Sequence, residues 1–310
     1  MRLATIDIGT NTTLLLVADV QNGHATVLTE RAEITRLGRG IGGKKVLGNE
    51  GMDATLAVLA EYRKIAADLD APLFAIGTEG LRRAENASEF LVPAATVLGS
   101  PVDVIDGDRE AALTFFAARR SFPVEAAGRL IVIDIGGGST EVILSEGSAI
   151  TFRTSLPLGS VRLTERHIKN DPATPAELAA IRNEIRSQLD EVPFSAKPTL
   201  LVGTAGTVTT LAAMAQDLRS YDPALVHGYK LTGEALAAQI ARLSTTTQAT
   251  RETMAGLDPR RADVILAGAC ILDEIAAKSG SPHVLVSDRG IRWGLLFEKA
   301  ESLAATPLHR

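Results

Sequence analysis

The chain has 310 residues, of which 45% are hydrophobic and 4% aromatic, and it carries a formal net charge of −5. A chain of this length is expected to form two domains with substantial apolar cores. The acidic balance argues against nonspecific nucleic-acid binding, which requires a basic surface.

Cysteine content and hydropathy bear on the compartment. The single cysteine, Cys270, lies in an apolar helical run and reads as a buried small hydrophobe, and one cysteine excludes a disulfide framework. The five histidines do not have the spacing of zinc ligands. Asp7 interrupts the first apolar run, so we expect no signal segment. No apolar stretch approaches the roughly 20 residues of a spanning helix. The expectation is a cytoplasmic protein with no membrane and no nucleic-acid partner.

The N-terminal region predicts three antiparallel strands, over residues 3–8, 14–20 and 25–35, with an Asn-Gly hairpin signal before the third. The first turn carries the sequence Ile-Asp-Ile-Gly-Thr-Asn-Thr-Thr at residues 6–13. Glycine permits a tight turn in which backbone N–H groups approach a ligand closely, and the hydroxyl side chains add donors. This turn is therefore a candidate phosphate loop.

A glycine-rich basic loop follows at residues 36–48. Residues 38–43 satisfy the pattern Gly-x-Gly-x-x-Gly, and residues 38–45 almost satisfy the Walker pattern. The last Walker position is Lys45, however, where magnesium binding requires Ser or Thr, and no strong helix signal begins there. We interpret both matches as accidental. Two readings stay open: a plain solvated loop, or a basic loop over an anion that uses Arg36, Arg39, Lys44 and Lys45.

The rest of the first half alternates helices and strands. An amphipathic helix is predicted over residues 51–70 and a strand over residues 72–76; residues 77–86 follow, and then a helix through Phe90. Arg82, near the turn after this strand, is a candidate phosphate clamp, because a guanidinium matches phosphate in a bidentate geometry. The alternative is a surface arginine on a helix.

Glu110 is the candidate catalytic base. It lies between a short predicted strand, residues 102–105, and a predicted helix, residues 111–120. A carboxylate near a hydrolysable phosphate can accept the proton of the attacking water. The alternative is a helix-start acid that the helix dipole favours. A capping box does not account for it, because Gly107, three residues earlier, has no side chain.

The second half repeats the first. Residues 121–123 mark the predicted boundary between an N-terminal domain, residues 1–123, and a C-terminal domain, residues 124–290; the terminal helix, about 291–310, is expected to pack back on the first domain. Ile-Asp-Ile-Gly-Gly-Gly-Ser-Thr at residues 133–140 aligns without gaps to residues 6–13, with five of eight positions identical. Clustered N–H groups in such a loop form an anion cradle, and Asp134 at the strand end can hold a hydrated divalent cation against phosphate. One copy alone is compatible with an ordinary hairpin; two copies favour the phosphate loop.

A third glycine-hydroxyl turn, Gly-Thr-Ala-Gly-Thr at residues 203–207, follows another apolar run and begins a helix. Other helices are predicted over residues 174–189, 233–243, 247–254 and 259–277, and a last strand over residues 284–286. Two phosphate hairpins on two similar domains, with a third Gly-Thr turn, resemble the actin/hexokinase/heat-shock-protein ATPase superfamily. The resemblance implies an α/β fold of two ribonuclease-H-like domains with an interdomain active-site cleft.

These motifs, with others in chain order, also resemble the exopolyphosphatase/guanosine pentaphosphate phosphohydrolase (Ppx/GppA) family in a short two-domain form. The other matches are Arg82 with Asn86, residues 107–111, residues 158–165 and residues 290–296, so that the resemblance covers essentially the whole chain. It implies a Mg²⁺- or Mn²⁺-dependent hydrolase that removes the terminal phosphate of inorganic polyphosphate. Guanosine pentaphosphate is the alternative substrate, and a homodimer is one option for the oligomeric state.

The resemblance also implies roles for single residues. Glu110 would activate water, Asp134 and Glu141 would organise the metal and the nucleophile, and Arg82 would grip phosphate. The catalytic candidates are Glu110 and Glu141, the metal-ligand candidates are Asp134 and Asp7, and the phosphate-binding candidates are Gly9, Thr10, Asn11, Thr12, Arg82, Gly136, Gly137, Gly138, Ser139, Thr140, Gly203, Thr204 and Gly206. Two positions depart from the family pattern. Arg109 stands where an acid is common, which leaves Glu110 as the acid of that loop that can serve, and Leu14 stands where Arg or His is frequent.

Three functions compete at this point: a hydrolase of phosphoanhydride chains, a sugar- or acetate-type kinase of the same superfamily, and a non-catalytic phosphate sensor. Phosphate release without ADP formation separates the first from the second, and binding without turnover indicates the third. We favour linear polyphosphate cleaved from its end, because the sequence offers several cationic groups for a repeating anion and few aromatic residues that would stack on guanine.

Overall fold

The computed structural model describes residues 1–41, 45–123, 128–194 and 200–305. Part of the glycine-rich loop, residues 42–44 with Lys44, lies outside the described residues. The chain divides into two compact units: unit 1 comprises Met1–Ala117 and Ile291–Arg310, and unit 2 comprises Ala118–Gly290. Each unit contains one sheet with helices packed on it, and the two are described separately.

Unit 1 contains a five-stranded sheet in the order β3-β2-β1-β4-β5. The first three strands are antiparallel neighbours, whereas β4 and β5 run parallel to β1. The strands are β1 (Arg2–Ile8), β2 (Thr12–Gln21), β3 (His24–Ile34), β4 (Leu73–Gly77) and β5 (Val102–Val104). The helices are α1 (Asn49–Asp68), α2 (Glu79–Arg83), α3 (Ala87–Leu98), α4 (Gly107–Ser121), whose last residues fall in unit 2, and α12 (Ile291–Ala305).

Strand β1 is covered on both faces, which explains why its sequence is a nearly continuous apolar run. On one face Ile6 belongs to a cluster with Tyr62 of α1 and Phe90 of α3. On the other face Leu3 belongs to a cluster with Trp293 of α12. The contact between α12 and β1 places the C-terminal helix against the first strand of unit 1.

Unit 2 contains a six-stranded sheet in the order β10-β11-β9-β6-β7-β8. Strands β6, β7 and β8 form an antiparallel meander, β9 and β11 continue in parallel, and β10 is an antiparallel edge. The strands are β6 (Arg129–Ile135), β7 (Thr140–Glu146), β8 (Ala149–Leu156), β9 (Leu200–Thr204), β10 (Lys230–Thr232) and β11 (His283–Val286). The helices are α5 (Ser160–His167), α6 (Pro175–Leu189), α7 (Ala205–Ala215), α8 (Pro223–Val226), α9 (Gly233–Thr245), α10 (Gln248–Arg251) and α11 (Ile265–Ser279).

Two elements of unit 2 differ from the sequence-based expectation. The single helix predicted over residues 259–277 is a short 3₁₀ turn, Pro259–Arg261, followed by α11. Asp258 caps the 3₁₀ turn by accepting the N–H of Arg260, and this cap explains the separate start. Strand β10 was not predicted, because three residues with polar exposed ends carry too little alternation to mark a strand.

Helix α11 is buried along most of its length and forms the centre of the unit 2 core. Ile271 belongs to one cluster with Ile133 of β6 and Leu211 of α7. Cys270 is fully buried there, as predicted, and burial raises the pKa of its thiol to about 11. This thiol is therefore held in its neutral form and contributes to packing.

The two sheets share one topology. In both, a three-stranded antiparallel meander is extended by parallel strands on the side of its first strand, in the order 3-2-1-4-5; unit 2 adds β10 at the edge. This is the ribonuclease-H-like arrangement, and the predicted fold class of two such domains is confirmed. In the part of the chain that the structure describes, no helix combines the length and the hydropathy needed to cross a membrane.

Candidate active site

The two phosphate loops adopt the same turn. Loop 1, residues 9–12, follows β1, and Gly9 N–H donates to the Thr12 carbonyl oxygen at 3.1 Å. Loop 2, residues 136–139, follows β6, and Gly136 N–H donates to the Ser139 carbonyl oxygen at 3.0 Å. A Cβ on Gly9 would lie 2.9 Å from that Thr12 oxygen, so the turn requires glycine there. The sequence repeat is thus a repeat of backbone geometry.

The N-terminus of α5 donates hydrogen bonds to the carbonyl oxygens of loop 2. Ser160 N–H donates to the Gly136 oxygen at 3.0 Å, and Val161 N–H donates to the Gly137 oxygen at 2.9 Å. Arg162 Nε donates to the Gly138 oxygen at 2.6 Å. Within the described ranges, no acceptor takes the backbone N–H of Gly137 or Gly138. With their carbonyls bound to α5, these N–H groups are available to an anion.

In unit 1 the first residues of the glycine-rich loop donate hydrogen bonds to the carbonyl oxygens of loop 1, as the start of α5 does to those of loop 2. Gly38 N–H donates to the Thr10 oxygen at 2.8 Å, and Arg36 N–H donates to the Asn11 oxygen at 3.0 Å. Arg36 adopts a left-handed conformation, with φ of 52°. Backbone hydrogen bonds thus attach residues 36–38 to loop 1. Arg39 and Lys45 are exposed beyond it.

A second internal repeat accompanies this arrangement. Leu37-Gly38 and Leu158-Gly159 both follow the third strand of a meander, and both glycines abut the second residue of the adjacent phosphate loop. The turn after β4, Gly-Thr-Glu-Gly at residues 77–80, likewise repeats the Gly-Thr-Ala-Gly of residues 203–206. Sequence reasoning missed both repeats, although aligning the halves beyond the phosphate loops reveals them.

The approach of α5 to loop 2 depends on Gly159. A Cβ at this position would lie 2.3 Å from the Gly137 carbonyl oxygen, and backbone cannot move aside as a flexible side chain can. We expect Gly159→Ala to displace loop 2, to lower kcat about tenfold or more and to lower the free energy of unfolding by about 1–3 kcal/mol. Phosphate-release kinetics and thermal unfolding measure both effects. Gly233→Ala is the control, because a Cβ at Gly233 would meet no heavy atom within 4 Å. Native turnover in Gly159→Ala would show that loop 2 tolerates the displacement.

Three oxygen-bearing side chains lie on neighbouring strands beside loop 2. Asp134 of β6 is in register with Glu141 of β7 and with Thr204 of β9. Residues in register on adjacent strands point to the same face of a sheet. Asp134 is 8% exposed, and Glu141 and Thr204 are each 1% exposed. A Cβ built on Gly290 would lie 3.2 Å from Thr204 Oγ1 and 3.9 Å from Asp134 Oδ2, so this backbone position borders both side chains.

Hydroxyl groups bind the Glu141 carboxylate. Ser139 Oγ of loop 2 donates to Glu141 Oε1 at 2.9 Å, and Ser155 Oγ of β8 donates to the same oxygen at 2.6 Å. Sequence reasoning missed Ser155; its signal is the register, since Ser155 is the β8 partner of Glu141. Thr140, a predicted phosphate-binding residue, is fully buried, and its hydroxyl donates to the Leu158 carbonyl oxygen at 2.6 Å. The structure thus gives Thr140 an anchoring contact.

The third turn forms the N-terminus of α7. Thr204 is its N-cap residue, yet within the described ranges its Oγ1 has no hydrogen-bond partner. Ala205 adopts a left-handed conformation, with φ of 68°. Gly206 lies against Arg261: a Cβ there would be 2.3 Å from Arg261 Nη1. Sequence reasoning did not select Arg261, which the 3₁₀ turn brings to this position.

The donor set beside loop 2 fits a hard divalent cation. Asp134 supplies a buried carboxylate, and Thr204 Oγ1 is a buried hydroxyl oxygen with no protein partner in the described part of the chain. Oxygen ligands of this kind suit Mg²⁺, which is commonly held by one or two carboxylates plus substrate phosphates and water. Among the described residues, no group of three or more His, Cys, Asp or Glu side chains could hold a metal ion. Asp7, 8% exposed on β1, is the corresponding carboxylate of unit 1.

Glu110 is buried in the first turn of α4. Asp106 caps this helix by accepting the N–H of Arg109 at 2.8 Å, so that α4 begins four residues before the predicted start at residue 111. Glu110 is 7% exposed, and its Oε2 accepts a hydrogen bond from Arg82 Nη1 at 2.6 Å. The same nitrogen donates to the Ile105 carbonyl oxygen at 2.8 Å. Arg82, which was predicted to bind phosphate, is thus hydrogen-bonded to the predicted catalytic acid Glu110.

Burial raises the pKa of Glu110 above its ordinary value, against the lowering effect of the Arg82 charge; the nearby charge of Glu79 adds to the increase. A carboxylate with a raised pKa is a stronger base than an exposed one. Arg109, the residue before Glu110, forms an ion pair with Glu298 of α12. Its charge is therefore directed away from Glu110.

In loop 1 the candidate groups are also buried. Asn11 is 7% exposed, and its Nδ2 has no hydrogen-bond acceptor within the described residues. Thr10 is 6% exposed, and its Oγ1 donates to Glu79 Oε2 at 3.3 Å. An amide donor without a partner in a glycine turn suits an anionic ligand.

Comparison with known proteins identifies the family. The model of the Ppx/GppA phosphatase family matches residues 16–303. The chain belongs to this family. Exopolyphosphatase 2 of Mycobacterium tuberculosis is 34% identical, over 96% of this chain and 98% of that protein. Exopolyphosphatase 1 of Mycobacterium bovis is 31% identical, over 98% of this chain and 90% of that protein.

Solved structures agree with this assignment. The Aquifex aeolicus member of the Ppx/GppA family superposes with a TM-score of 0.83 at 33% identity, with 99% of each chain covered. An exopolyphosphatase from Cytophaga hutchinsonii superposes with a TM-score of 0.89 at 28% identity, over 97% of this chain and 98% of that chain. The predicted resemblance to the Ppx/GppA family is confirmed, and the protein is a phosphoanhydride hydrolase.

Proposed function

We propose that this Ppx/GppA protein is an exopolyphosphatase, which hydrolyses the terminal phosphoanhydride of inorganic polyphosphate and releases orthophosphate. The observation that carries the proposal is the buried Glu110, hydrogen-bonded to Arg82, in a chain that also carries two repeated phosphate loops. The names of its mycobacterial relatives support the choice of substrate.

Glu110 is the general base in this proposal. The oxygen of a water molecule attacks the terminal phosphorus, the bond from that phosphorus to the bridging oxygen breaks, and Glu110 accepts the water proton. The shortened chain leaves with the bridging oxygen. The raised pKa of Glu110 favours this transfer, provided that the carboxyl group is ionised when substrate arrives. Arg82 keeps the carboxylate in place through a hydrogen bond of 2.6 Å.

Loop groups bind phosphate in this proposal. In unit 2 the N–H groups of Gly137 and Gly138 donate to phosphate oxygens, and α5 holds loop 2 in its conformation. In unit 1 the Asn11 amide is a donor of the same kind. In unit 2 Asp134 and Thr204 would hold a divalent ion, and in unit 1 Asp7 is the candidate metal ligand. When bound, such an ion neutralises charge on the phosphate oxygens. Mg²⁺ is our first choice and Mn²⁺ the second.

The choice of polyphosphate over guanosine pentaphosphate rests on charge. Arg36, Arg39 and Lys45 lie on the loop attached to loop 1, and Arg39 and Lys45 are exposed. Such groups suit a repeating anion, whereas aromatic residues that would stack on a guanine base make up only 4% of the chain. Guanosine pentaphosphate is therefore expected to be a weaker substrate.

A side-by-side assay tests this proposal. Purified protein is given long-chain polyphosphate, tripolyphosphate and guanosine pentaphosphate, and orthophosphate release is measured. We expect the highest kcat/KM on polyphosphate, progressive chain shortening, and a KM that rises with salt, because exposed charges are screened beyond about 10 Å at 0.1 M ionic strength. A higher kcat/KM on guanosine pentaphosphate would reverse the choice of substrate. Stoichiometric transfer of phosphate to ADP, a sugar or acetate would indicate a kinase instead.

A double variant tests the role of the loop charges. Arg39→Ala with Lys45→Ala is expected to raise KM for long chains several-fold and for tripolyphosphate less, because a longer anion contacts more cations. The control is Arg63→Ala with Lys64→Ala, which removes two exposed charges from α1. Equal KM changes for long and short chains would show that these loop residues do not extend the binding surface.

The remaining expectations belong to the same proposal. We place the enzyme in the cytoplasm. Its partner in this proposal is polyphosphate, and it does not bind nucleic acid. A homodimer is the assembly to be tested. Size-exclusion chromatography with light scattering measures that assembly directly.

A further inference from the structure

A buried carboxylate that the mechanism above does not use lies against loop 1. Glu79, the first residue of α2, is 6% exposed. Its Oε2 accepts the hydroxyl proton of Thr10 at 3.3 Å, and its Oε1 accepts a hydrogen bond from Arg83 Nη1 at 3.2 Å. A Cβ on Gly80 would lie 3.2 Å from Thr10 Oγ1, so a glycine allows the start of α2 to approach loop 1. The contact is therefore built by two adjacent residues of α2.

Unit 2 also contains a contact between a loop hydroxyl and a carboxylate, but at the loop position that aligns with Thr12, and the carboxylate belongs to a strand. There Ser139 of loop 2 donates its hydroxyl proton to Glu141 at 2.9 Å. The residue that corresponds to Glu141 in the meander of unit 1 is Leu14, which is in register with Asp7 as Glu141 is with Asp134. Unit 1 thus lacks a carboxylate at the meander position and supplies one from α2.

The contact determines what the Thr10 hydroxyl can do. A hydroxyl group has one proton and two acceptor lone pairs. Once its proton is donated to Glu79, Thr10 Oγ1 can accept a hydrogen bond, for example from water, but it cannot donate to a phosphate oxygen. The hydroxyl is therefore oriented for a water molecule or a cation, and the backbone is left to bind phosphate.

Glu79 and Arg82 lie three residues apart on α2, and Arg82 binds Glu110 through a hydrogen bond of 2.6 Å. The negative charge of Glu79 adds to the raised pKa of Glu110. The charged groups around Glu110 are Arg82 and Glu79 from α2; on its own helix, Arg109 is paired with Glu298 of α12, and Asp106 accepts the N–H of Arg109. Arg83 pairs with Glu79. The cluster thus comprises Glu79, Arg82 and Arg83 of α2 and Glu110 of α4.

We propose that Glu79 is a positioning residue for the reaction proposed above: it orients the Thr10 hydroxyl as an acceptor and, through its negative charge, strengthens Glu110 as a base. The inference rests on the proposed function. Its first part follows from the hydrogen bond and the burial, and its second part from the position of Glu79 on α2, three residues before the Arg82 that binds Glu110.

The test is the pH dependence of kcat/KM in Glu79→Gln. Glutamine keeps the size and can still accept the Thr10 proton, but it removes the negative charge. Without that charge the ionised form of Glu110 is less disfavoured, so the pKa of Glu110 falls. We expect the acidic limb of the profile to move to lower pH by about half a pH unit or more. The substrate phosphates titrate equally in all variants and cancel in the comparison.

Three further variants separate charge, hydroxyl and structure. Glu61→Gln removes an exposed charge from α1 and should leave the limb in place. Glu79→Asp keeps the charge, so the acidic limb of its pH profile should stay near the native position even if the variant is less stable. Thr10→Val removes the hydroxyl and should lower kcat about tenfold without moving the limb.

An acidic limb in Glu79→Gln that coincides with the native one would overturn the inference, whatever the stability of the variant. So would an equal shift in Glu61→Gln, because the effect would then be one of net charge. A native protein that releases no orthophosphate from polyphosphate would instead contradict the proposed function. If it hydrolyses guanosine pentaphosphate, the same comparison runs on that substrate.

Discussion

Glu110→Gln is expected to lower kcat at least about a hundredfold, which is the usual scale for the loss of a general base. Glutamine keeps the size and can accept the Arg82 hydrogen bond, which is 2.6 Å long in the native protein, but it cannot take a proton from water. Binding of polyphosphate, measured by calorimetry, should change little. Asp108→Asn, an exposed acid in the same helical turn, is the control and should retain turnover. Near-native turnover in Glu110→Gln would remove Glu110 from the mechanism.

The pH dependence of the native enzyme follows from the same residue. Because the pKa of Glu110 is raised, activity should fall as pH decreases through that raised value, above the range of an ordinary glutamate. The stability effect has the opposite direction. A raised pKa means that the fold favours the protonated form, so this contribution is present below the ordinary pKa and is lost as pH rises through the folded value. Glu110→Gln should therefore unfold at no lower temperature than the native protein at pH 7, which distinguishes lost chemistry from lost structure.

Asp134→Asn is expected to raise the metal concentration for half-maximal rate about tenfold or more, because an amide oxygen replaces a charged oxygen ligand. Binding of Mn²⁺ in the presence of polyphosphate, followed by paramagnetic resonance, should weaken in parallel, which gives a readout independent of turnover. Asp217→Asn serves as the control: Asp217 is exposed and left-handed, a conformation that asparagine also adopts. Excess chelator should abolish native activity. Full activity in chelator would refute the metal requirement, and an unchanged metal dependence in Asp134→Asn would remove this residue from the ligand set.

The elements that sequence reasoning predicted well are those whose causes are contiguous in the chain. Both phosphate loops are short runs in which glycine and hydroxyl residues follow a buried strand, and the turn closes within four residues through Gly9 N–H to the Thr12 oxygen. The first two strands of each meander are rich in apolar residues. The region after β4 was predicted less accurately. Helix α2, Glu79–Arg83, lies within residues 77–86, for which no helix was predicted, and the helix predicted after them through Phe90 is α3, Ala87–Leu98.

The residues that sequence reasoning did not connect are far apart in the chain. Arg82 was predicted as a phosphate clamp and Glu110 as the base, but nothing in the spacing of 28 residues indicates that they share a hydrogen bond. Glu79 was not selected at all, because its partner Thr10 is 69 residues away. Local pattern carries no information about which turns a sheet brings together.

The sequence by itself determined the class of fold, the family and the two phosphate loops, since strand period, glycine turns and motif order are local properties of the chain. Tertiary structure decided which contacts hold those loops and which groups surround the acidic side chains beside them. Parallel pairing of β4 with β1 brings the start of α2 to loop 1, and with it the Thr10 contact of Glu79. Antiparallel pairing of β7 with β6 sets Glu141 beside Asp134. The physical reason is that proton affinity and hydroxyl orientation depend on burial and on neighbouring charges, and only the folded chain supplies both.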